Sequence, residues 1–297
     1  MMRTIAALRP LWRVLFALAF LALSYIIVDM FAPLPTLPGG GWAVLGTALA
    51  IGATTFLLNV GPQAADHDPA PVAAPVQGTW VAVNSPGQAL PSHGTRARGQ
   101  YSAVDLCAPA TDTTPPLVRW GLRGNRPQEY DCFGAPIHAM APGVVTTARD
   151  RQRDQRARST WPGLILMMTL EGLLREMAGT NRILGNHVVI AHDDGTYAAY
   201  AHLKHRSATV APGDRVETGD VIARVGNTGN SSMPHLHVQL MDRARVDAAA
   251  GLVMTWPDIE LTGTIDPVFT KYAKEPADSA LANMPRNGET FTAGTPA

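Results

Sequence analysis

A mainly antiparallel β domain carrying one inserted helix, preceded by two membrane-spanning helices, is the fold class this sequence predicts. Three observations lead there: two apolar stretches near the N-terminus, a later region of short Val/Ile/Thr-rich runs split by Gly, Pro and Asp, and one helix-forming stretch within that region. A chain of 297 residues holds one substantial domain with accessories rather than two large ones. Its formal net charge is zero, so no global field recruits nucleic acid or another polyanion, and no nucleic-acid partner is expected. The two cysteines, Cys107 and Cys132, are too few for a disulfide scaffold or a Cys-rich metal site. Two free thiols and a single disulfide are both open readings of that pair. Any bound metal therefore falls to histidine and carboxylate.

Residues 1–62 read as a membrane anchor, with apolar stretches at about 11–32 and 41–60. Each is close to the ~20 residues that cross a bilayer. PLPTLPGG between them suits a tight membrane hairpin. A cleavable signal peptide is the competing reading of the first stretch, but no clear small-residue cleavage site follows it, so retention is expected. Arg3, Arg9 and Arg13 point to a cytoplasmic N-terminus, from which two full spans would return the later domain to the cytoplasm.

Residues 63–77 are rich in Ala, Pro and Asp, a composition suited to an extended linker, with His67 a solvated residue within it. The main domain is expected over 78–272, and the polar, aperiodic segment 273–297 reads as a flexible tail. Within the domain GVVTTA, HVVIAH, YAAYAHL, RVETGDVIARVG and HLHVQL alternate with turn residues, the pattern of an antiparallel sheet. Asp193, Asp194 and Gly195 sit where a hairpin turn joins two of these runs. The stretch 161–179 has helix formers, an early Pro and a closing Gly, and Glu171, Arg175 and Glu176 interrupt its apolar run, so a helix and not a third span is expected. One reading packs this helix on the sheet; the other rests it on the membrane or beside the cleft. The basic run 149–158 before it reads as a solvated loop, with attraction to anionic lipid or cell-wall polymer as its functional alternative.

The chemistry centres on nine histidines. His235 and His237 are two apart in a strand and so share a face. The hairpin places YAHL beside them, bringing His202 toward that face. A hydrolytic zinc site needs three protein ligands and an open position, so a further His and a carboxylate are sought upstream, where His93 and Asp105 are available. Asp131 is the alternative carboxylate, though no histidine lies four residues before it. His138 reads as a packed core residue, His187 and His192 as structural or supporting partners, and His205 as a turn residue without a role.

The segments GNHVVIAHDDGTYAAYAHL and VAPGDRVETGDVIARVGNTGNSSMPHLHVQLMD resemble the M23 family of metallopeptidases, the LytM or lysostaphin type. The likeness runs over roughly 79–267, and WVAVNSPGQALPSHGTRARGQYSAVDL with the inserted helix resembles a membrane-attached actinobacterial subgroup. The resemblance implies a groove-shaped β domain and one Zn²⁺ per chain held by His93, Asp105 and His237, with His202 and His235 as the unmetallated catalytic pair. Eleven residues separate His93 from Asp105, where the family pattern has three, and Tyr101 stands at the fourth position before Asp105. A longer loop still closes at small entropic cost. The implied activity is zinc-dependent hydrolysis of cross-links or stem peptides of bacterial peptidoglycan by metal-activated water. Peptidoglycan peptides and membrane lipid are the implied partners, alongside an unidentified regulatory cell-wall partner. A cell-wall enzyme has its domain outside the cytoplasm, so an extracytoplasmic domain on the cytoplasmic membrane is expected despite the arginines.

Two rival readings have different signatures. A non-catalytic domain that binds cell wall or activates a partner hydrolase would dispense with ligands, and this chain keeps a full candidate set. A lipoyl or biotinyl carrier, suggested by GDRVETGDVIARVG, needs a modifiable lysine at a hairpin tip, and the HLH and YAHL stretches offer none.

Overall fold

The computed structural model describes residues 2–31, 40–64 and 67–294, with side chains of 29–31 and 40–44 left undescribed. Most of the expected hairpin connection, residues 33–39, lies outside the described residues, as do 65–66 of the expected linker and 295–297 of the expected tail. The N-terminal region forms a short helix α1 (Met2–Ala7) and two longer ones, α2 (Trp12–Phe31) and α3 (Gly40–Asn59), which pack on each other. Among the described residues, only the helical stretch Arg9–Val28 is long and apolar enough to cross a membrane; the apolar part of α3, Leu45–Asn59, is shorter. One candidate span therefore stands where the sequence predicted two.

The rest of the chain is mainly β and antiparallel. We number its principal strands β1 (Gly78–Val83), β2 (Val104–Cys107), β3 (Pro136–His138), β4 (Gly143–Arg149), β5 (Asn186–His192), β6 (Tyr197–Leu203), β7 (Arg215–Val216), β8 (Val221–Arg224), β9 (Leu236–Met241), β10 (Ile259–Ile265) and β11 (Glu289–Ala293). Nine of them form one sheet in the order β10-β11-β1-β2-β9-β6-β5-β4-β7, with Gly251–Leu252 pairing on β9, while β3 and β8 pair separately. The β5–β6 hairpin turns at the expected Asp193–Gly195, where Gly195 takes a φ of 85°.

The central strands are buried on both faces. Leu236, Val238 and Leu240 of β9 enter the main core with Val188, Ile190 and Tyr200. The opposite face of β6 and β5 presents Ala199, Ala201 and Val189 to a second cluster with Leu184 and Val246. That double burial explains why these runs read as nearly continuous apolar strings rather than as strict alternation. The inserted segment forms α4 (Trp161–Leu166), a wide π turn (Met167–Glu171), α5 (Gly172–Ala178) and a short α6 (Thr180–Leu184) that leads into β5. Thr160 caps α4 by accepting from Gly163 N, and Pro162 sits in the first turn, where its missing N–H costs nothing.

Two boundaries differ from expectation. The second half of 63–77 is packed rather than free: Val72, Ala74 and Val76 are buried in the core, and Ala70–Pro71 pairs in parallel with Met254–Thr255. Proline fixes an extended backbone without fixing exposure, and small apolar residues at every second position supply a buried edge. The segment after 273 also returns to the fold, because β11 lies between β10 and β1 with Phe291 fully buried. A strand with one large apolar residue among threonines carries too little periodicity to be seen against a polar background. Cys107 and Cys132 are both buried, free thiols.

Candidate metal centre

The site lies where β2, β9 and β6 run side by side. In the antiparallel register His237 faces Asp105 on one neighbour and Ala201 on the other. Directly opposed residues in a sheet point to the same face, so the register alone brings the imidazole of His237 to the Asp105 carboxylate. His237 Nδ1 lies 2.9 Å from Asp105 Oδ1. His93 arrives from the loop before β2, with its Nε2 3.3 Å from Asp105. Ser92 holds that loop by donating to the Ala103 carbonyl at 2.6 Å. The long spacing between His93 and Asp105 thus closes into one cluster: one ligand atom from each of His93, Asp105 and His237 lies within 4.8 Å of the others.

His202 reaches the same cluster by a different device. Strict alternation along β6 would point it with Tyr200 toward the core. Instead the β5–β6 pairing shifts register between Asn186 and Val188, and His202 adopts a φ of 61°. A bulge of this kind re-aims a side chain, and the His202 ring comes to 4.8 Å from that of His235 and 5.8 Å from that of His237, centroid to centroid. Its Nδ1–H donates to the Thr228 carbonyl at 2.9 Å. His235 is anchored alike, its Nδ1–H donating to the Met233 carbonyl at 2.8 Å, which leaves Nε2 3.6 Å from Asp105 Oδ1. A carbonyl can only accept, so both rings carry the proton on Nδ1 and keep the Nε2 lone pair free when neutral.

The electrostatics follow from burial and from one carboxylate among four imidazoles. Burial lowers the pKa of His202, helped by the charges of His235 and His237, and burial likewise lowers that of His235. Burial also disfavours charge on His237, but the hydrogen bond and charge of Asp105 outweigh it and raise its pKa. Burial alone would raise the Asp105 pKa; His93, His235 and the hydrogen bond from His237 reverse this and hold it well below the usual carboxylate value.

Two contributors were not singled out from sequence. Gln239, fully buried, accepts from His237 Nε2 at 3.0 Å and donates its own Nε2 to the Arg98 carbonyl at 2.7 Å. It stands two residues after His237, so period-2 alternation extended from His235 and His237 would have found it. Asn84, in the left-handed region with φ 49°, donates to Asp105 Oδ2 at 2.8 Å, a contact no local pattern announces. Asn84, Asp105 and His235 line a cleft of about 210 Å³, bordered by Arg158, Leu164 and Met233. A larger cleft, about 850 Å³, lies away from the cluster and is walled by Arg149, Arg151, Arg153 and Arg182.

The other histidines stand apart from the cluster. His138, His187 and His192 are buried and hydrogen-bonded through Nδ1 to Gly219 O, Gly185 O and Thr196 Oγ1 respectively. His67 bonds through Nδ1 to the Asp68 carbonyl. Asp131, the alternative carboxylate, accepts from Thr111 at the surface and is not in the cluster.

Residues 165–248 match the model of peptidase family M23. The chain carries an M23 peptidase domain. The matched stretch of the M23 domain includes His202, His235 and His237, while His93 and Asp105 precede it. Among similar proteins, the glycyl-glycine endopeptidase ALE-1 of Staphylococcus capitis is 39% identical over 72 residues, 24% of this chain and 19% of that one. The DD-carboxypeptidase/endopeptidase Mpg of Neisseria gonorrhoeae is 36% identical over 100 residues, 34% of this chain and 22% of that one. The chain spans about a fifth of the length of these curated relatives. Among solved structures, the catalytic domain of the antimicrobial peptidase lysostaphin from Staphylococcus simulans is similar at 20% identity, covering 46% of this chain and 85% of that chain, with a TM-score of 0.27.

Proposed function

We propose that this M23 domain is a zinc-dependent endopeptidase that hydrolyses peptide cross-links or stem peptides of peptidoglycan, with His93, Asp105 and His237 as metal ligands and His202 and His235 as the catalytic pair. The observation that carries the reading is the convergence of two different imidazole sets on one carboxylate. His93, Asp105 and His237 present nitrogen and oxygen donors from three sides. His202 and His235 present free Nε2 lone pairs beside them.

The donor set fits zinc. Two imidazoles and a carboxylate are ordinary zinc ligands, and three protein ligands leave a position open for chemistry. The surroundings fit as well: Gln239 Oε1 accepts from His237 Nε2, so the ring would keep that proton on giving up the Nδ1 proton now shared with Asp105, freeing Nδ1 to hold a metal. Zinc bound there supplies a Lewis acid that polarises a scissile carbonyl. His202 and His235, kept neutral by burial, orient the attacking water and accept its proton through Nε2. The ring that has taken the proton then donates it toward the oxyanion or the leaving amine. Asn84 steadies the second carboxylate oxygen of Asp105 throughout.

α2 is proposed as a membrane span with α3, packed along it, as the returning arm of the anchor, so that α1, the end of α3 and the M23 domain share the extracytoplasmic side. Arg3 and Arg9, which from sequence alone argue for a cytoplasmic N-terminus, are engaged within the fold: Arg3 pairs with Asp242 of the domain at 2.7 Å, and Arg9 donates to the Leu57 and Val60 carbonyls at the end of α3. Charges neutralised within the fold weigh less in orienting a span.

The test is incubation of the purified full chain in detergent with cross-linked muropeptides, with and without chelator, reading products by mass spectrometry. Cleavage that chelator abolishes and added zinc restores is the expected result. A chain that binds zinc yet leaves every cross-linked muropeptide intact would overturn the peptidase reading in favour of a non-catalytic one.

A further inference from the structure

The inserted helical segment is built the wrong way round for water. None of the residues of α4, the π turn or α5 is buried. Ile165, Met168, Leu170 and Leu174 are each more than half exposed, at 59%, 73%, 52% and 54%. The charged residues of the same segment face the domain instead. Glu171 pairs with Arg158 at 2.9 Å and with Arg175 at 3.1 Å, Arg175 donates to Gln155 at 2.7 Å, and Glu176 pairs with Arg98 at 2.5 Å. A helix on a soluble surface points its apolar stripe inward and its charges outward; here the pattern is inverted, and a contiguous apolar surface of this kind marks an interaction site.

The surroundings say what covers it. The loop bearing Trp120 and Leu122, exposed by 79% and 92%, is fastened beside the start of α4, where Trp161 N donates to the Arg119 carbonyl. At the far end Gly179 abuts the Arg13 guanidinium of α2, so the segment terminates against the helix proposed as the membrane span. The arginine-walled cleft includes Ala178 at that end, and its four guanidinium groups suit phosphate headgroups.

We propose that the inserted helix lies on the bilayer that α2 crosses, with its apolar side chains at the boundary between headgroups and acyl chains. The proposal rests on the reading of α2 as a span. Leu164 of this helix borders the cleft that contains Asp105 and His235. Docking therefore holds the mouth of the candidate catalytic cleft at the membrane surface, and the peptides it reaches are those of membrane-proximal peptidoglycan.

The experiment reconstitutes the full chain into vesicles of phosphatidylethanolamine and phosphatidylglycerol and attaches nitroxide labels at Met168→Cys, Leu174→Cys or, as an aqueous control in the hairpin turn, Asp194→Cys. The ratio of relaxation by dissolved oxygen to relaxation by a water-soluble nickel chelate reports immersion. The expected result is a ratio several-fold higher at 168 and 174 than at 194. A chain that resists alkaline carbonate extraction but shows the same ratio at all three positions would overturn the docking while leaving the span intact. Release by carbonate would overturn the span and the docking together. A fixed distance between Met168→Cys labels on two copies, shortening the signal in proportion to protein density, would assign this face to self-association and overturn the proposal.

Discussion

Replacing Gln239 by leucine tests whether the zinc site depends on the buried amide behind it. Leucine has a similar volume but neither accepts nor donates, so His237 Nε2–H and the Arg98 carbonyl, now 3.0 Å and 2.7 Å from their amide partners, both lose them. Each unpaired buried group costs about 1–3 kcal/mol, giving a loss of roughly 2–6 kcal/mol in the folding stability of the chelator-treated protein. Separately, losing the partner of a metal-bound imidazole weakens metal binding by about 10- to 100-fold. Gln239→Glu keeps an oxygen acceptor for His237 and gives up only the bond to Arg98. It is therefore expected to lose stability while retaining zinc affinity within a few-fold of the parent. Urea titration reads the first quantity, competition with a chromophoric chelator reads the second, and ¹⁵N correlation spectra of the imidazoles report whether His237 carries its proton on Nε2. Parent-like zinc affinity in Gln239→Leu, with or without lost stability, would refute the claim that this amide sets the ligand tautomer.

His237→Ala is expected to lose bound zinc and turnover together, whereas His202→Ala keeps zinc and loses turnover by about 10²-fold or more, read by metal analysis beside muropeptide cleavage. Gly185→Ala places a Cβ 2.5 Å from the Thr228 backbone at a position with φ 69°. The backbone conformation alone, φ 69° with ψ −144°, costs a non-glycine residue about 1–3 kcal/mol, and the displaced Thr228 carbonyl is the anchor of His202, so a lower Tm and reduced turnover should appear together. Acid should destabilise the metal-free chain. Burial lowers the pKa of His187, His192, His202 and His235 below 6.5, so the unfolded chain takes up protons first and stability, full above pH 6.5, is lost as pH falls through the folded-state values. His237, whose pKa is raised, acts with the opposite sign and in the window above pH 6.5: its contribution is complete below 6.5 and is lost as pH rises through its folded-state value. A denaturation midpoint that rose on acidification would contradict this sign.

The candidate site was legible wherever chemistry and local period coincide. His235 and His237 declare a shared face by their spacing, and the Asp-Asp-Gly turn declares the hairpin that contains YAHL, while the other edge of that strand pairs with β9. The resemblance added His93 and Asp105 despite an unusual separation. Other features depend on partners far along the chain. Val72, Ala74 and Val76 look like a linker until the core closes over them, and Phe291 looks like part of a tail until β11 finds its place between β10 and β1. The helix over 161–179 was visible as a helix, but its inverted faces were not, because which side of a helix meets the domain is decided by Arg158, Arg98 and Gln155 rather than by its own sequence.

The sequence by itself determined the strand pattern, the apolar N-terminal helix and the residue types able to hold a metal, since these follow from side-chain period, composition and ligand chemistry. Tertiary structure decided how those residues meet. The β9 register sets His237 against Asp105, a bulge turns His202 out of the core to join them, and a buried amide holds the His237 proton. Register, bulge and burial arise only when distant segments pair, and each of them moves a side chain by more than local sequence specifies.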